Sequence, residues 1–171
     1  MQKYLILYSS IDGHTKSICK KISGHINKDI VDVFPISEEF INLNEYKTII
    51  IGASIRYGKY REELYKFIRM NKDLLDIKDN AFFSVNAVAR KSNKDTPETN
   101  PYLIKFLKNI DWIPKKVAVF AGKIEYPKYN FFDKYAIKFI MWITKGPIDT
   151  SKTYEFTDWE KVKTFAESLK S

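Results

Sequence analysis

A chain of 171 residues with 44% hydrophobic side chains can form one sizeable core and is too apolar to remain disordered. No run of eighteen uncharged apolar residues exists, which excludes a bilayer-spanning helix, and a lone cysteine, Cys19, excludes an internal disulfide. The net charge of +8 is concentrated in one region: residues 89–145 hold 12 basic and 5 acidic side chains, a net of +7, whereas residues 1–88 hold 13 and 11. Such a region faces nucleic acid, an anionic surface or an anionic small molecule, or is simply a solvated lysine-rich face. No aromatic–basic repeat supports nucleic acid as the partner.

The elements alternate between strand and helix. Residues 3–8 form an apolar run that leads straight into a turn, too short for a signal peptide, so the expected compartment is the cytoplasm. A helix over about 14–27 follows, with Ile18, Ile22 and Ile26 on one face. A short strand over 29–34 is stopped by Pro35, and Thr48 to Ala53 reads as a strand buried on both faces. A helix over 60–70, a strand over 81–88, a helix over 101–110, a strand over 116–122 and a helix over 158–169 complete the pattern. Five strands alternating with helices predict an α/β sandwich, a parallel sheet with helices on both faces, in a single domain over 1–171. Ligands on such sheets bind beyond the carboxyl ends of the strands.

One segment, about 123–157, stands outside this alternation. Its middle, Phe131 to Ile143, is helical in pattern and rich in aromatic and aliphatic side chains, with Lys134 and Lys138 one turn apart and Lys145 beyond the end. Aromatic bulk with a lysine edge suits a membrane interface, with Trp142 among the contacts; the plain alternative is an insertion that covers the sheet.

Three loops converge on one sheet edge. The first, Ser10-Ile11-Asp12-Gly13-His14-Thr15, joins a strand to a helix start, and it offers hydroxyl donors, backbone N–H groups and a glycine to a phosphate. Asp12 is out of place beside an anion and is read as a brace for the turn, while His14 is either a phosphate contact or an ordinary helix-start residue. This loop is neither a P-loop nor a dinucleotide glycine motif. The second, Gly52 to Tyr60, sets Tyr57 between glycines in a way that suits a flat ring. The third, Asn86 to Lys91, is built from small residues, and Asn86 can hydrogen-bond a polar rim.

The first loop resembles the flavodoxin phosphate loop. The runs 51–58, 84–91, 96–100, 126–129 and 154–159, with Ala121-Gly122, resemble more closely the menaquinone-dependent protoporphyrinogen oxidase family, whose inserted segment after strand five is also similar. That resemblance implies a flavodoxin-like three-layer fold with strand order 2-1-3-4-5 and FMN as cofactor. It also implies oxidation of protoporphyrinogen IX to protoporphyrin IX in haem biosynthesis, with electrons passing to a quinone. The family's FMN contacts carry over onto Ser10, Ile11, Asp12, Gly13, His14 and Thr15, onto Ser54, Ile55, Arg56, Tyr57 and Gly58, and onto Asn86, Ala87, Val88, Ala89 and Arg90. Ile11 stands where a polar or basic residue is more usual, so one phosphate contact is missing. The chemistry would be borne by the flavin; no residue is singled out as a base, and no metal is expected. Arg56, Arg90, Lys91, Lys123 and Lys128 are candidates for holding the two propionates, or are merely solvated. Lys134, Lys138, Trp142 and Lys145 would touch an anionic membrane, placing the protein at the inner face of the cell membrane, with a homo-oligomer left open. Two rivals remain at this stage: a flavodoxin-type electron carrier and an NAD(P)H:quinone reductase.

Overall fold

The alternating pleat of the strands decides the architecture. In a computed structural model that describes residues 3–170, Leu5 and Leu7 of β1 (Tyr4–Ser9) point to one side of the sheet, and Tyr4 and Ile6 point to the other. The same split recurs in β3 (Thr48–Ser54), where Ile49 and Ile51 oppose Ile50, and in β4 (Asp79–Asn86), where Phe82 opposes Ala81 and Phe83. Strands that are apolar on both sides must be covered twice. The helices α1 (His14–Ile26) and α5 (Trp159–Ser168) cover one face; α2 (Glu62–Ile77) and α3 (Pro101–Lys108) cover the other. With β2 (Val31–Pro35) and β5 (Lys116–Ala121), the parallel sheet has the order β2-β1-β3-β4-β5. This is the fold class and strand order expected from the sequence.

Several boundaries differ from the sequence expectation; the second strand starts at Val31, after a 3₁₀ turn over Lys28–Ile30, and includes Pro35 instead of being stopped by it. The second helix runs on to Ile77 rather than ending near residue 70, because Leu75 continues the buried stripe of Leu64 and Ile68. The fourth strand stops at Asn86 rather than at residue 88. There the Asn86 side-chain carbonyl accepts the Ala89 N–H at 3.1 Å and turns Ala87–Arg90 into a 3₁₀ turn. The segment after β5 is more than a helix. It opens with β6 (Lys123–Glu125), which pairs antiparallel with β7 (Thr153–Glu155), and carries α4 (Phe131–Ile143) between them. Ile124, Tyr126 and Met141 form a small separate core beneath that helix.

Candidate functional site

The carboxyl ends of β1, β3 and β4 and the inner side of α4 enclose a cleft of about 340 Å³. Its floor is the loop before α1. Gly13 adopts φ +83°, a left-handed conformation that a larger residue adopts only with strain, and its N–H donates to Ser10 Oγ at 3.0 Å. No side chain caps α1, and no acidic residue lies in its first turn, so the helix start keeps its free N–H groups and positive dipole end. Beside it, Thr15 Oγ1 is buried with no hydrogen-bond partner among the described residues, although the residue lines the cleft. A buried hydroxyl without a partner is costly unless a ligand completes it. The helix start and the hydroxyl together fit a phosphate group.

His14 also lines the cleft, and its ring is held from the side. Thr157 donates its hydroxyl hydrogen to the Ala121 carbonyl at 2.8 Å, so its oxygen accepts from His14 Nε2 at 2.6 Å. The imidazole therefore carries its hydrogen on Nε2 and lies edge-on to Trp159. Burial lowers its pKa, against the partial opposition of Glu155.

The wall after β3 is a two-residue hairpin. Arg56 and Lys59 exchange backbone hydrogen bonds at 3.0 and 3.1 Å, and Tyr57 (φ +50°) and Gly58 (φ +75°) make the turn. Both central residues are left-handed; glycine suits this, whereas the tyrosine needs support from its surroundings. The Tyr57 hydroxyl donates to Asp133 of α4. Arg56 Nη1 meets Asp12 at 2.7 Å and Nη2 meets Asp133 at 3.3 Å, with its guanidinium over the Tyr129 ring. Burial works against the Arg56 charge, but Asp12 and Asp133 outweigh it and raise its pKa. Gly52 serves the core rather than the loop: a Cβ there would lie 2.1 Å from the Phe83 ring.

The third wall is braced from behind. Asn86 and Asn100 pair through their amides at 3.1 and 3.3 Å, and Asn86 also donates to Ser84. Both side chains are buried and satisfied, so Asn86 shapes the turn with its side chain and offers the cleft its neighbourhood, not a free amide. Asn100 also caps α3, which explains the 96–100 run in the sequence. Ala89 is buried in the core, and Arg90 is not among the residues that line the cleft. Its guanidinium donates to the carbonyl of Ala87 at 2.8 Å and to Thr144 at 2.9 and 3.0 Å, tying down the end of α4.

Ile11, at 49% exposure, and Ser54, Ile55 and Gly58 also line the cleft. Of the candidate cations, Arg56 and Lys123 line it. Lys123 and Lys128 both pair with the buried Glu125, at 3.1 and 2.9 Å; Lys128, then Lys123, holds that carboxyl below its usual range against the effect of burial. Lys91 has no ion pair among the described residues. The sequence reading did not assign Tyr102, Tyr129, Ile137, Ile140 or Met141 to the site, yet all line it. Their signal was available: 137, 140 and 141 share one face of the inserted helix.

The fold, its strand order and an uncapped helix start beneath a hydroxyl-rich loop define a flavodoxin-like α/β protein. The flavodoxin domain family model matches residues 5–151, and the chain belongs to that family. It is 40% identical to protoporphyrinogen IX dehydrogenase [quinone] of Escherichia coli (strain K12) over 172 residues, covering 98% of this chain and 94% of the relative. Among solved structures it resembles oxidised Flavodoxin 1 of Bacillus cereus, with TM-score 0.55, 18% identity and coverage of 98% and 97% of the two chains. It also resembles a flavoprotein of Lactobacillus acidophilus solved in complex with FMN, with TM-score 0.52, 19% identity and coverage of 70% and 93%.

Proposed function

We propose that this protein is an FMN-dependent protoporphyrinogen IX dehydrogenase that passes electrons to a quinone, menaquinone in the first instance. The observation that carries the cofactor is the unpartnered Thr15 hydroxyl at the uncapped start of α1, which fits the flavin phosphate. Bound there, FMN supplies two-electron redox chemistry. The chain's own residues bind and orient. Gly13, Thr15 and Ser10 receive the phosphate end, and the Tyr57 hairpin and the Ala87-Val88 turn flank the flat ring. Ile137, Ile140 and Met141 roof the cleft with apolar surface, which suits a large hydrophobic substrate and limits water. The relative's name, protoporphyrinogen IX dehydrogenase [quinone], supports substrate and acceptor alike.

The outer side of α4 supports a membrane-surface location. Phe132 is 84% exposed and Trp142 64%, with Phe131, Phe139 and Ile143 also exposed and Lys134, Lys138 and Lys145 beside them. Tyr135, Lys138, Phe139, Trp142 and Ile148 line a shallow hollow of about 310 Å³ on this side. No helix among the described residues is long and apolar enough to cross a membrane. The protein would therefore rest on an anionic surface, where apolar porphyrinogen and quinone are concentrated.

The deciding experiment is anaerobic mixing of FMN-loaded protein with protoporphyrinogen IX and a menaquinone analogue, following porphyrin fluorescence. Quinone-dependent formation of porphyrin is expected. A protein that stays colourless after soaking in FMN, or that turns over NAD(P)H as fast as porphyrinogen, overturns the assignment.

A further inference from the structure

The cation best placed over the cleft, Arg56, is already neutralised. Its guanidinium is shared by Asp12 at 2.7 Å and Asp133 at 3.3 Å, and the neighbouring Tyr57 hydroxyl donates to Asp133 as well. Asp12 belongs to the floor loop, Arg56 and Tyr57 to the hairpin, and Asp133 to the first turn of α4. One guanidinium and one phenol thus close three segments over the cleft mouth.

The two ends of α4 are tethered differently. At the far end, Arg90 donates to the carbonyl and hydroxyl of Thr144 and to the Ala87 carbonyl, beneath the Phe156 ring. The acceptors there are neutral, and Arg90 is not among the residues that line the cleft. At the near end the acceptors are carboxylates, partly open to solvent at 34% for Asp12 and 30% for Asp133. A carboxylate on a ligand competes with them on like terms. The Arg56 side chain is itself only 14% exposed, and exchanging one carboxylate for another leaves its charge compensated, so such an exchange is nearly balanced.

We propose that Asp133 is a positioning residue that latches the inserted helix over the cleft, and that a substrate carboxylate displaces it from Arg56, freeing Tyr57 and the first turn of α4. This rests on the reading that the substrate is a dicarboxylate porphyrinogen. The latch makes entry selective: an acid opens it and the corresponding ester does not. It also gives Arg56 a reason to be paired before the substrate arrives, since a lone guanidinium at the mouth would retain any anion.

The test compares protoporphyrin IX with its dimethyl ester as unreactive probes, and the two porphyrinogens as substrates. In the wild-type protein, the free acid speeds backbone hydrogen exchange across residues 130–135 and the ester does not. Asp133→Asn speeds that exchange without any ligand. It also lowers KM for the diacid about three- to tenfold, as expected for loss of a competing ion pair, and lowers the ratio of acid to ester kcat/KM, because the ester no longer meets a closed latch. Tyr57→Phe loosens the same turn but leaves Arg56 paired, so it keeps the wild-type ratio. An equal exchange response to acid and ester, or an unchanged ratio in Asp133→Asn, overturns the latch. Acid-selective exchange without porphyrinogen turnover overturns the proposed function and leaves the latch standing; turnover without acid selectivity does the reverse.

Discussion

The sheet and the inserted segment treat apolar side chains in opposite ways. Leu5, Ile6, Leu7 and Ile49 to Ile51 are fully buried, because helices cover both faces of every central strand. In α4, which is richer in aromatic residues, Met141 is the fully buried side chain, while Phe131, Phe132, Phe139 and Trp142 stand in solvent. The sheet satisfies its own hydrophobic demand. The insertion meets its demand only in part, with a thin inner stripe over the cleft and an outer face that nothing among the described residues covers. Contiguous exposed apolar surface is the usual mark of a contact site. Charge divides in the same way. The candidate cations at the cleft are engaged by acids or carbonyls, whereas the lysines flanking the outer face of α4 form no ion pairs among the described residues.

This contrast can be broken or sharpened by substitution. The largest effect is expected in the core. Phe82→Ala removes a ring stacked on Phe106 at 4.8 Å and should cost about 3–5 kcal/mol by chemical denaturation. Phe132→Ala on the exposed side should change stability by less than about 0.5 kcal/mol. Next, replacing Lys134, Lys138 and Lys145 together by Glu should weaken binding to anionic vesicles by at least about 3 kcal/mol in a sedimentation assay, at about 1 kcal/mol per cation. The FMN content should not change, and vesicle binding that survives would remove α4 as the anchor.

Third, Thr15→Ala should weaken FMN binding about tenfold in a fluorescence titration, the scale of one hydrogen bond to a charged group. The unfolding midpoint of the FMN-free protein should stay near wild type, because the hydroxyl has no partner among the described residues. The smallest effect concerns pH. Burial lowers the His14 pKa from 6.5, so the folded state holds fewer protons than the unfolded state, and stability falls as pH drops below about 6.5. His14→Gln should flatten that slope in denaturation curves measured between pH 5 and pH 7, a range that spans the ordinary histidine pKa.

Much of this was legible in the residues themselves. Ile18, Ile22 and the run Thr48 to Ala53 show their helix and strand through spacing alone, and Gly13 after Ser10 marks the floor of the cleft. What lay beyond the sequence was the set of contacts between distant segments. Nothing in the local pattern says that Asn86 is matched by Asn100, that His14 is held by Thr157, or that Arg90 is held by Thr144. The ribbon of β6 and β7 escaped for the same reason: three-residue strands carry too little pattern, and their pairing spans the whole insertion.

The sequence by itself determined the layered sheet and the place of the glycine turn before α1, because burial on two faces and a glycine turn are properties of neighbouring residues. Only the tertiary structure decided which charges are free. A side chain's charge is available to a ligand only when no partner claims it, and Arg56 finds its partners 44 residues before it and 77 residues after it.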